Sequence, residues 1–262
     1  MKGEIGCILR KTRLLANAEV AVSLVRYPPG LTQPPHEHER PQLSLLLAGG
    51  LAETTSRAET FSVRRSSGVK PGGQRHAARF GPVGALMLSL ELPADATVQR
   101  PGCEWRGMGA TERRLLERLL RSERPAERRE LALDLASLVD AAPDTLPTPA
   151  IPSWLHPTRE ALDDDPAGAR IDELARRAGV HRGHLSRSFT VAYGLPPSLY
   201  RARSMAMRSV SLALERDDSL AAVAAEAGFA DQSHMARTVR REVGTTVSRL
   251  RRLLGDATSV QA

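Results

Sequence analysis

"IDELARRAGVHRGHLSRSFTVAYG", residues 171–194, shares its skeleton with "LAAVAAEAGFADQSHMARTVRREVG", residues 220–244. Both run apolar-x-x-apolar-Ala-x-x-Ala-Gly, make a short turn, then continue apolar-x-Arg-x-apolar-x4-Gly. The first copy uses Ile171, Leu174, Ala175, Ala178 and Gly179, then Leu185, Arg187, Phe189 and Gly194. The second uses Leu220, Val223, Ala224, Ala227 and Gly228, then Met235, Arg237, Val239 and Gly244, with a turn one residue longer. Ala175 and Ala224 are small where a second helix must cross closely. Gly179 and Gly228 sit where a helix ends and positive φ is needed. Asp231 is a good N-cap, and His181 or Arg182 opens the matching helix. Two helices joined by a tight glycine turn make a helix-turn-helix, whose second helix enters the DNA major groove. Packed helix pairs can mimic one such unit; two in register point to DNA.

Working outward, "PDTLPTPAIP" (143–152) carries four prolines in ten residues, too stiff for a core, and marks a domain boundary. Ahead of it, "TERRLLERLLRSER" (111–124) lines up Leu115, Leu116, Leu119 and Leu120. After Pro125, "AERRELALDLASLVDAA" lines up Leu131, Leu135, Leu138 and Val139. These stripes bury either within the chain or against a second copy, as a homodimer. Residues 1–100 hold short apolar runs between Gly, Pro and polar clusters: "EVAVSLVRY", "PQLSLLLAGG", "ETFSVRR" and "GALMLSLEL". They read as strands of a sandwich or barrel. The expected organisation is therefore α+β and multidomain. A β-barrel covers 1–100, a helical connector with a Pro-rich linker 101–152, and an all-α domain with two helix-turn-helix units 153–262.

Of the 37 basic residues among 262, only Lys2, Lys11 and Lys70 are lysines, and the net charge is +7. Arginine grips phosphate and guanine edges bidentately. The balance, with a pI near 10.2, fits an anionic partner, though an arginine-favouring genome gives the same bias. Cys7 and Cys103 make neither a metal spacing nor a disulfide framework. No leader and no long apolar run is present, so a soluble, cytoplasmic chain without a membrane partner is expected.

The region from Trp154 to Arg252 resembles the DNA-binding domain of AraC/XylS-type transcription regulators, most closely in "GFADQSHMARTVRREVGTTVSRLRR". It departs at Met235 and Val239, where that family usually has Phe, at Val247, where it favours Pro, and at Met205, a usual Arg position. The first three keep an apolar residue. With Leu185, Phe189, Met235 and Val239 facing the core, the opposite faces of 182–192 and 232–242 are left to read double-stranded promoter DNA. Those faces carry Arg182, Gly183, Ser186, Arg187 and Thr190 in one copy. In the other they carry Gln232, Ser233, His234, Arg237, Arg240 and Arg241. Arg187 suits guanine and Gln232 adenine, while Arg240 and Arg241 suit phosphate. The resemblance also implies RNA polymerase as a partner if the chain activates transcription.

In "GLTQPPHEHERPQLSLLLAGG" (30–50), His36, His38 and Gln42 share a parity and would face one side of an extended run. The spacing of Gly30, His36, His38, Gln42 and Gly49, then Pro71, Gly73 and His76, resembles the two cupin motifs over roughly residues 20–92. Gln42 replaces the usual Glu, and Phe80 stands at a usual Asn position. The resemblance implies a cupin sensor barrel ahead of the DNA-binding domain. In it, His36, His38 and His76, with Gln42 as a weaker oxygen ligand, hold one divalent Zn, Ni, Fe or Cu ion. The alternative is a small organic effector in a barrel whose histidines only pack. Glu37 and Glu39, of opposite parity, face solvent, and no acid–base pair is evident. The chain therefore reads as an effector-controlled regulator, not an enzyme; the runner-up is a metal-dependent cupin enzyme with an accessory DNA-binding domain.

Overall fold

A computed structural model describes residues 9–56, 59–62, 65–98, 105–141, 151–255 and 258–260. Its strands are β1 (Leu9–Ala16), β2 (Ala21–Tyr27), β3 (Thr32–His36), β4 (Gln42–Thr55), β5 (Glu59–Ser62), β6 (Ser66–Lys70), β7 (His76–Glu91), β8 (Trp105–Gly107) and β9 (Thr258–Val260). The helices are α1 (Ala110–Arg121), α2 (Pro125–Asp140), α3 (His156–Asp164), α4 (Ile171–Arg177), α5 (Arg182–Tyr193), α6 (Pro197–Glu215), α7 (Leu220–Glu226), α8 (Gln232–Val243) and α9 (Val247–Gly255). A 3₁₀ turn, Ser153–Leu155, precedes α3. Both the sheet-rich half and the helical half expected from sequence are present.

The strands form one antiparallel sheet in the order β8-β6-β4-β7-β2-β1-β9, with β3 also on β7 and β5 on β4. The long strands β4 and β7 each serve several neighbours. They do so because β4 is bulged between Leu46 and Ala48, and β7 between Phe80 and Ala85, opposite Gly49 and Leu51, and bulges bend and twist a strand. Two pairings reach past the boundaries expected from sequence: β8 joins β6, beyond residue 100, and β9, near the C-terminus, pairs with β1. Both are too short to show a period-2 pattern, so only their partners reveal them. Cys7, Cys103 and most of the Pro-rich stretch lie outside the described residues.

The leucine stripes bury within the chain. Leu116, Leu119, Leu120, Leu131, Leu135 and Val139 share a core with Leu14, Leu43, Leu45 and Leu88 of the sheet. Leu115 is half-buried and Leu138 is 39% exposed. The start of α1 is fixed by Glu112, whose Oε2 accepts from the Gly109 N–H at 2.6 Å while Arg106 grips both carboxylate oxygens at 2.6 and 2.9 Å. The same core continues through Met207, Val210 and Leu214 of α6 into Val223, Ala224, Met235 and Val239. The second helix-turn-helix is thus mounted on the sheet. The first has its own core of Leu155, Leu162, Leu174, Leu185, Phe189, Tyr193 and Tyr200. At 19 residues, α6 is ~28 Å long and joins the two units, Tyr200 entering the core of the first and Arg203 donating to Glu242 of α8 in the second. Met205, at a position expected to be polar, is buried in this helix.

Beneath the first unit, the Tyr200 hydroxyl donates to Asp163 Oδ1 at 2.8 Å. Burial raises the Asp163 carboxyl to about 6, against the hydrogen bond from Tyr200. A folded pKa above the ordinary 3.8 means that the folded chain holds this proton more tightly than the unfolded one. Stability from this group therefore grows as pH falls from 7 toward 4. Relative to Asp163→Asn, the wild type is expected to gain roughly 1–3 kcal/mol over that range in urea unfolding. Parallel pH profiles for the two would contradict it.

Candidate functional site

The two reader helices begin and end as the repeat requires. His181 caps α5 through Nδ1, which accepts from the Gly183 N–H at 3.1 Å; Asp231 caps α8 through Oδ1, which accepts from the His234 N–H at 2.7 Å. Gly179 and Gly228 turn the chain at φ 67° and 88°, a region that disfavours a Cβ. Gly194 and Gly244 end the helices in the same left-handed region. Leu185, Phe189, Met235 and Val239 are fully buried, which turns the remaining faces outward. Arg182, Arg187 and Thr190 are exposed on α5, with Gly183 and Ser186 half-buried. Gln232, Ser233, His234, Arg237, Arg240 and Arg241 are all exposed on α8. Some already hold partners: Arg182 pairs with Asp172 at 2.9 Å, Arg241 donates to Glu242 at 2.6 Å, and the Thr190 hydroxyl donates to Ser186 O at 2.7 Å. The exposed Arg182–Asp172 pair is of the weak, exchangeable kind, whereas the Glu242 partner of Arg241 is buried.

The histidines converge, but not along one strand. β3 ends at His36, which stands directly opposite His76 across the β3–β7 ladder. The chain then bends, and His38 reaches the same place because its carbonyl accepts from the Gly73 N–H at 2.8 Å. Gly72 allows this approach, since a Cβ there would lie 2.8 Å from Glu39 O. The ring centroids of His36 and His76 are 4.3 Å apart, and each is 4.3–5.1 Å from its neighbours. Their ligand atoms all lie within 4.8 Å of one another. Gln42 lines the same cavity and donates its amide to Ser89 Oγ at 2.6 Å. Glu37 and Glu39 are exposed.

Tautomers follow from the carbonyls. His36 Nδ1 is 2.9 Å from Pro34 O and His76 Nδ1 is 3.2 Å from Gln74 O. A carbonyl only accepts, so both Nδ1 atoms carry the proton and both Nε2 atoms keep a lone pair, the arrangement seen in metal-ligating histidines. Burial, then the Lys70 charge, pushes His38 down to about 4, and the same two causes lower His76. Both shifts favour the neutral ring that ligation requires.

Sequence reading missed Glu53 and Lys70. Both are buried; Lys70 Nζ is 3.0 Å from Glu53 Oε1, and Trp105 Nε1 donates to Glu53 Oε2 at 2.5 Å. Glu53 Oε1 also lies 3.5 Å from His76 Nε2. It has the parity of Leu51, which lines the cavity, and that parity was the available signal. Lys70 faces Gln42 across the β4–β6 ladder, which no local pattern reports. A lone pair on His76 facing a carboxylate oxygen is an arrangement that a cation stabilises. The donor set thus fits a divalent ion held by His36, His38 and His76 with Gln42 beside them.

Residues 174–253 match the family model of a helix-turn-helix domain. An HTH-type transcriptional regulator from Mycobacterium tuberculosis, Rv1931c, is 30% identical over 131 residues, covering 43% of this chain and 51% of the relative. The chain therefore spans about half the length of the curated relative it matches. Among solved structures, ToxT from Vibrio cholerae is 10% identical over 92% of this chain and 99% of its own, with a TM-score of 0.38. KdgF from Halomonas sp. is 19% identical over 36% of this chain and 84% of its own, with a TM-score of 0.31. With the match falling on the duplicated helix pairs, the C-terminal part of this chain carries a helix-turn-helix domain, set behind an antiparallel sheet.

Proposed function

We propose that the chain is a sequence-specific DNA-binding transcription regulator, controlled by an effector in its cupin-like half, and not an enzyme. The observation that carries this reading is the duplicated, solvent-facing helix, α5 and α8, in the two repeat units that α6 joins. Two readers joined by α6 engage successive major-groove faces about one turn (~34 Å) apart. Arg187, Gln232 and Arg237 contact base edges. Arg240 and Arg241 neutralise phosphates and set affinity without choosing sequence. On a duplex of ~30 base pairs, Arg240→Ala/Arg241→Ala is expected to reduce the slope of log K against log salt by about 2, near 0.9 per lost phosphate contact. An unchanged slope would remove both residues from the interface.

Effector control runs through contacts between sheet and helices. Arg26 of β2 donates to Ser211 Oγ at 2.7 Å and pairs with Glu215 at 3.4 Å, both on α6. A ligand in the sheet shifts the readers only by its differential affinity for their arrangements. Metal is the first effector to test. Dialysis against Zn, Ni, Fe or Cu salts is expected to leave one ion per wild-type chain and none in His36→Ala/His76→Ala. If neither protein retains an ion, the cavity takes a small organic effector and the histidines serve as its walls.

A further inference from the structure

A second cavity lies on the other side of Phe80. It is a cleft of about 120 Å³, open to solvent, between the β4 and β7 bulges and helices α3 and α6. Phe80 lines both this cleft and the histidine cavity, and its ring stacks on Tyr27 at 4.0 Å. The floor is apolar or plain backbone: Phe61, Phe80, Pro82 and Val83 beside Gly49 and Gly50. Its charge is one-sided. Arg79 of β7, Arg159 of α3 and Arg203 of α6 line it against a single lining carboxylate, Asp163.

The arginines are differently engaged. Arg203 is held by Glu242 at 2.8 Å and Arg79 by Glu59 at 3.7 Å, the latter pair exposed. The Arg159 guanidinium lies 5.0 Å from the Phe61 ring centre, and its Nε is 3.8 Å from Asp163. That Nε is buried without a hydrogen-bond partner, an arrangement that costs free energy unless something completes it. A largely apolar cleft with a few convergent polar groups is the usual form of a small-molecule site.

We propose that this cleft binds a small organic anion with an apolar body, its acid group on Arg159 with Arg79 alongside and its body on Phe61 and Phe80. The ligand would touch the sheet and the first helix-turn-helix unit at once. As the regulator's effector site the cleft rests on the reading above; as a binding site it does not, so the test contains no DNA.

The probe is 1-anilinonaphthalene-8-sulfonate, followed by fluorescence on the full chain, with uncharged N-phenyl-1-naphthylamine as its neutral counterpart. The expected result is one sulfonate per chain, weakened about tenfold or more by Arg159→Gln and severalfold by Arg79→Gln. His36→Ala/His76→Ala is expected to leave it unchanged, and the neutral amine to bind equally to wild type and both arginine variants. Arg79 is exposed, so its variant keeps the test decisive if Arg159→Gln fails to fold. Sulfonate binding indifferent to Arg79→Gln and to any folded Arg159→Gln, or abolished by the histidine double variant, would overturn the proposal.

Discussion

Arg187→Ala/Arg237→Ala is expected to weaken binding to the chain's preferred duplex by roughly 30-fold to 25,000-fold, at 1–3 kcal/mol per lost base contact. The two arginines occupy the same place in the repeat and are exposed on α5 and α8. Each sits two residues after a fully buried anchor, Leu185 or Met235, so each points away from the core with little slack. The loss should fall on the preferred sequence much more than on random duplex, because base readout carries sequence and phosphate contacts do not. Titrating both duplexes with both proteins checks this. An equal loss on the two would make these arginines phosphate contacts.

Phe189→Ala is expected to destabilise the first helix-turn-helix unit by about 3–5 kcal/mol, the range for deleting a buried phenylalanine. Phe189 is fully buried, with its ring 4.4 Å from that of Tyr193 and 5.4 Å from that of Tyr200. These aromatics make up much of a small core distinct from that of the sheet. The second unit shares its core with the sheet and should survive. Hydrogen exchange would show it: protection lost in α4 and α5 and kept in α8. Loss throughout would mean that the two units unfold as one.

The readers were legible because their constraints are local. A glycine with positive φ, an alanine at a helix crossing and a capping Asp231 each leave a mark at a fixed position, and the repeat printed those marks twice. The histidine cluster was legible by its spacing, although the physical route differed. His38 arrives through a bend pinned by Gly73, not by strand parity. Glu53 and Lys70 escaped notice because what makes them neighbours of the histidines is strand register, set across β4, β6 and β7. For the same reason β8 and β9 could not be found. The leucine stripes announced that they would be buried but not against what; the answer, the sheet's own core, depends on three-dimensional placement.

The central claim is tested most directly by selecting duplexes from a random library with the full chain at physiological salt. The account predicts enrichment of two short elements whose centres lie about 10–10.5 base pairs apart. It predicts binding to the selected duplex at least about a thousandfold tighter than to random DNA. Binding equal on selected and random duplexes would contradict it.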